Sequence, residues 1–133
     1  QVEDYKNTER EYSTAEMAEN TFVPPMPPTL LDISHVRGLH FYKIYPKPGD
    51  RLEADMDTFY KGAVRLKDWR GRIVGHIGIE ECDYVADFVK QGLEVWVTIP
   101  EGAKVFQQIL KPFDGGALLN KGKVIWCEVW AQF

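Results

Sequence analysis

A chain of 133 residues and 15.3 kDa is long enough for one domain with a sizeable core and too short for two. An apolar share of 44% and an aromatic share of 13% fit a globular, β-rich protein and exclude a disordered one. The net charge of −4 argues against a general nucleic-acid binder, which is normally basic.

The charge is unevenly placed. Residues 1–20 hold six acids against Lys6 and Arg10, which accounts for the whole net charge and leaves the rest of the chain neutral. No apolar run approaches the roughly 18 residues that cross a bilayer, so a soluble protein with no membrane partner is expected. Gln1 in place of Met points to processing or to a boundary within a longer chain. Cys82 and Cys127 are too few for a disulfide framework and fall in apolar settings. They read as small buried hydrophobes in a reducing, intracellular compartment, cytoplasmic or nuclear.

In chain order, residues 1–29 read as an acidic arm, with room for a short helix at 13–19. A proline-rich linker, Phe22-Val23-Pro24-Pro25-Met26-Pro27-Pro28, holds an extended path. The folded domain is expected at 30–133. Residues 35–45 read as a strand ending in the turn cluster Pro46-Lys47-Pro48-Gly49-Asp50, residues 52–56 as a second strand, and residues 60–67 as a third. Asp68-Trp69-Arg70-Gly71 is a hairpin turn, and residues 72–77 return as the fourth strand.

A helix over 79–91 follows directly. Glu80, Glu81 and Asp83 favour its positive end, Lys90 its last turn, and Gly92 its left-handed cap. Ile79, Cys82, Ala86 and Val89 form its buried stripe. Residues 93–99 are the clearest strand, 103–110 are ambiguous between strand and helix, 112–116 form a loop, and 123–133 make the closing strand. About six strands and one or two helices favour a mainly β, small OB-like barrel with an inserted helix over a sandwich.

Residues 51–92 carry the functional signal, because they set Tyr60 and His76 at neighbouring strand ends. Lys61, Arg65, Lys67, Arg70 and Arg72 face Asp68 alone in sequence and make one basic hairpin. Each feature also has a purely structural reading. Aromatics at a strand start pack cores, a histidine after Gly75 can cap the helix entry, and Lys and Arg protect sheet edges. Trp69 at a turn is harder to dismiss, since an exposed indole is costly unless it packs or binds. Trp96, Trp126 and Trp130 read as core or barrel-face residues.

Enzymatic signals are weak. Asp55 and Asp57 offer two carboxylates on one strand face, but no third ligand has metal spacing. The histidines and cysteines lack zinc-type pairs, neither cysteine has activating neighbours, and no phosphate-cradling glycine loop occurs. No enzyme activity, metal or cofactor is expected.

The succession Gly38-Leu39-His40-Phe41-Tyr42, then Tyr60-Lys61-Gly62-Ala63-Val64-Arg65-Leu66, then Gly71-Arg72-Ile73-Val74-Gly75-His76-Ile77 and a glycine-ended helix resembles the HIRAN domain over about residues 36–99. The resemblance implies a modified OB-type barrel that holds the 3′ end of single-stranded DNA. Tyr60 then matches the pocket tyrosine, His76 the strand-end histidine, Phe41 a stacking tyrosine and His40 an arginine. The family's Asn-Pro-Tyr-Asp is Thr58-Phe59-Tyr60-Lys61 here. The acid that would accept from a terminal 3′-hydroxyl is therefore replaced by a cation.

Two functions are carried forward. One is a non-catalytic single-stranded DNA-binding module with His40, Phe41, Tyr60 and His76 in the pocket, and Lys61, Arg65, Lys67, Arg70 and Arg72 on the backbone. The other is a protein-interaction or assembly module docking through residues 1–29, with oligomeric state open.

Overall fold

The computed structural model describes residues 26–110 and 120–133. The acidic arm, the helix at 13–19, most of the proline segment and the loop at 112–116 lie outside the described residues. Among those described, seven strands and two helices follow in order: β1 (Thr29–Arg37), α1 (Leu39–Tyr42), β2 (Arg51–Met56), β3 (Val64–Lys67), β4 (Ile73–Ile77), α2 (Ile79–Lys90), β5 (Glu94–Thr98), β6 (Phe106–Leu110) and β7 (Asn120–Gln132).

Neighbouring strands run β1-β4-β3-β2-β5-β7, every pair antiparallel, and β7 returns to β1. Six strands thus close into a barrel with no free edge. β6 stands outside it as a flap on the first half of β7. The 13-residue β7 is long enough to serve three partners: β6 from Asn120 to Val124, β1 from Ile125, and β5 from Glu128.

Sequence alternation explains β3, where Val64 and Leu66 are buried and Arg65 and Lys67 half-buried on the other face. β5 is buried through Val95, Trp96 and Val97, because Trp96 is roofed by the Arg51 guanidinium 4.1 Å from its ring. In α2, Cys82, Val85 and Ala86 are buried, with Ile79 and Val89 at the half-buried margin. Gly92 has φ +86°, the left-handed conformation expected of the helix end.

Two sequence expectations are corrected and two open readings are resolved. The first strand lies earlier, at Thr29–Arg37, and residues 38–45 do not continue it. Gly38, at φ +87°, turns the chain into α1, and Lys43, at φ +61°, ends that turn. The fully buried Leu39 anchors α1, which packs on β4 and β7 beyond the end of β1. The third strand starts at Val64, residues 60–62 being turn. The ambiguous segment is strand β6. Trp126 is 46% exposed, and its ring lies 5.8 Å from Phe106 on the flap and 6.0 Å from His35.

Both cysteines are free and buried, and burial pushes the Cys127 thiol up to about 12. Cys82 Sγ donates to the Gly62 carbonyl at 3.1 Å, which ties α2 to the turn that carries Tyr60.

Candidate functional site

β2 ends at Met56, and Asp57 begins the connection to β3. Its Oδ1 accepts from the Phe59 and Tyr60 backbone amides at 2.6 and 2.9 Å. This is an Asx turn, in which the short carboxylate replaces a backbone acceptor. The turn closes with Asp57 N–H donating to Ala63 at 2.9 Å and Ala63 N–H to Tyr60 at 3.0 Å. The same carboxylate reaches across with Oδ2 to His76 Nε2 at 2.5 Å. Both side chains are 5% exposed. Burial raises the Asp57 pKa, but the His76 contact and the Tyr60 and Phe59 amides outweigh it, so the net shift is downward.

His76 is delivered by a close strand approach. In β4 it pairs with Arg37 of β1 on one side and Arg65 of β3 on the other. A Cβ on the preceding Gly75 would lie 2.4 Å from the Arg37 carbonyl oxygen. Only glycine lets β1 and β4 meet there.

The rings form one chain around this histidine. Phe59 stands edge-on to Tyr60 at 4.8 Å, and Tyr60 edge-on to His76 at 5.9 Å. On the other side Tyr42 lies 5.7 Å from His76, and Phe41 edge-on to Tyr42 at 5.0 Å. The middle is buried and the ends are open: Phe59 is 82%, Phe41 70% and Tyr60 40% exposed. Tyr42 is half-buried. Burial first, then the charges of Asp57 and Tyr60, raise its pKa against the pull of Arg65, so the phenol stays a neutral donor.

The structure therefore brings Phe41, Tyr60 and His76 together, but His76 lies beneath the rings as their support and does not reach the surface. His40 is exposed and turned elsewhere: its Cε1 lies 3.4 Å from where a Gly122 Cβ would stand, over β7. The helical turn of α1 explains this, since adjacent residues there diverge by about 100°.

The basic hairpin is also corrected. Asp55, directly across β2–β3, takes Arg65 at 2.6 Å and Lys67 at 3.0 Å. Asp68 takes Arg72 at 2.8 Å. Lys61 and Arg70 stand in no ion pair among the described residues. Asp55 and Asp57, paired in sequence reasoning, serve separate partners: Arg65 and Lys67 for Asp55, His76 for Asp57. Among the described residues no cluster of three or more His, Cys, Asp or Glu is arranged to hold a metal.

Sequence reasoning missed Tyr42, Phe59 and Asp57 as members of the site. The signal for Asp57 was present in Asp57-Thr58-Phe59-Tyr60, an acid two and three residues before the amides it caps. Tyr42 was hidden by reading its segment as strand.

The chain is similar to a solved HIRAN domain. That structure, the crystal structure of the HIRAN domain of human HLTF, is 15% identical, with 75% of this chain and 74% of that chain covered and a TM-score of 0.49. No protein-family model and no curated protein matches the chain. The closed barrel described above rests on this chain's own strand pairing. No helix among the described residues is long and apolar enough to cross a membrane.

Proposed function

We propose that the domain is a non-catalytic module that binds single-stranded DNA by stacking bases on the Phe41–Tyr42 and Tyr60–Phe59 rings. The observation that carries this reading is the ring chain itself. Three large aromatic faces are held open to water by a buried His76–Asp57 pair and a capped turn. Exposed apolar rings on a rigid frame are costly to keep without a partner, and every base offers a flat face to meet them. Lys61 and Arg70 supply charge for the phosphate backbone, while Arg65, Lys67 and Arg72 brace the hairpin through their carboxylates. DNA as the strand chemistry follows from the HIRAN-like sequence pattern.

Fluorescence anisotropy with short labelled oligodeoxynucleotides tests it. Tyr60→Ala and Phe59→Ala are each expected to weaken binding by about 1–3 kcal/mol, the usual loss of one stacked base. With Lys61 and Arg70 as the hairpin cations outside ion pairs among the described residues, a shallow salt slope is expected, about 0.7 per neutralised phosphate. Free and 3′-blocked oligonucleotides are expected to bind almost equally, because Lys61 stands where an acid would select a terminal hydroxyl. Absence of salt-sensitive binding at low ionic strength refutes the reading.

A further inference from the structure

A second aromatic surface lies at the far end of the same hairpin. Trp69, at the β3–β4 tip, is 83% exposed, and the Arg70 guanidinium lies 4.8 Å from its ring centroid. The tip is rigid. Asp68 Oδ1 accepts from the Arg70 and Arg72 amides, both at 2.9 Å, and Oδ2 from Arg72 Nε at 2.8 Å. Beside the indole opens a cleft of about 190 Å³, with Tyr45, Pro46, Leu52, Val74 and Arg72 in its walls. That volume is below the roughly 300 Å³ at which whole-ligand pockets begin, and it suits one flat ring.

Two chain segments join this cleft to the ring chain. Val74 lines the cleft and His76 lies two residues further along β4, about 7 Å at the usual rise of a strand. Tyr42 touches His76, and Tyr45, three residues on, lines the cleft.

The charge fits a phosphate backbone. Two acids also line the cleft: Asp68 is paired with Arg72, whereas Asp50 accepts from the Lys47 backbone amide at 2.9 Å without a cation partner among the described residues, so the Arg70 side of the indole is the side open to phosphate. Lys47 and Arg70 stand in no ion pair among the described residues, and Lys123 Nζ lies 5.8 Å from the Tyr45 ring centroid.

We propose that the Trp69–Tyr45 cleft is a second base site on the same strand, with a nucleobase against the indole and its phosphate beside Arg70 and Lys47. This inference rests on the single-strand reading above and extends its footprint past the ring chain.

The test compares a thymidine dinucleotide with a thymidine octamer on the wild-type protein, Trp69→Ala and Tyr60→Ala, by anisotropy and tryptophan fluorescence. The wild type is expected to bind the octamer at least about tenfold more tightly than the dinucleotide, the gain of one further stacked base. Trp69→Ala should remove most of that gain while leaving dinucleotide affinity within about twofold, and Tyr60→Ala should weaken both ligands. Octamer quenching of the fluorescence should be largely lost in Trp69→Phe. An octamer gain unchanged in Trp69→Ala, with Tyr60→Ala still impaired, overturns the cleft site alone. No binding of either oligonucleotide by the wild type overturns the platform and the cleft together. Quenching of Trp69 by a peptide of residues 21–29, with none by the octamer, overturns it in favour of a proline-rich ligand.

Discussion

Asp57 has three tasks that no neighbour can share. It caps the Phe59 and Tyr60 amides, holds His76, and so fixes the angle between the Tyr60 ring and the rest of the cluster. Asp57→Ala leaves a buried ring nitrogen and two amides without their acceptor. It should cost about 1–3 kcal/mol in urea unfolding and weaken oligonucleotide binding, whereas Asp57→Asn should retain part of both. The folded-state pKa of Asp57 is depressed, so its contribution is present above the unfolded carboxylate value of about 4. It is lost as pH falls through the lower folded value. The stability difference between the wild type and Asp57→Asn should therefore shrink over that acid window, which denaturation midpoints measured from neutral pH downward would show.

At the level of elements, the β3–β4 hairpin carries a ring site at one end and Trp69 at the other, and Gly75 sets where β4 meets β1. With a built Cβ 2.4 Å from backbone and 2.8 Å from Val36 Cγ1, Gly75→Ala must push the two strands apart. The expected cost is about 1–3 kcal/mol, the usual range for overpacking, and Tyr60 and Tyr42 should lose their shared contact on His76. Binding should then fall by more than stability alone explains, as read by anisotropy at a temperature where the variant remains folded. α1 illustrates a local rule overruled. The β-rich composition of residues 35–45 favoured strand, but no strand among the described residues pairs with the chain beyond Arg37, and burial of Leu39 between β4 and β7 decides the conformation.

For the whole molecule, the closed barrel fixes the site because each site element is held from both sides. β4 lies between β1 and β3, and β7 between β1 and β5. The described residues of the platform and of the cleft wall lie within 41–76. Deleting residues 1–28 is expected to leave oligonucleotide affinity within about twofold, well under the loss of one stacking contact. It is also expected to leave the thermal midpoint nearly unchanged, since Thr29 still begins β1. A deletion that abolished partner capture while sparing oligonucleotide binding would assign a separate docking role to the arm.

Local pattern alone determined a good deal: the mainly β fold class, the Asp68–Gly71 turn, the bounds and cap of α2, the strands β2, β4 and β5, and the proximity of Tyr60 to His76. These are short-range properties, written in alternation, turn residues and helix-end chemistry. Tertiary structure alone decided which charges remain. Arg65, Lys67 and Arg72 read as a basic stripe until β2 and the hairpin turn bring Asp55 and Asp68 against them. It also set His76 beneath the rings, turned His40 toward β7, and drew Tyr42 in from a segment that reads as strand. Pairing across a barrel joins residues far apart in the chain, and neither periodicity nor local composition records which side chain will meet which.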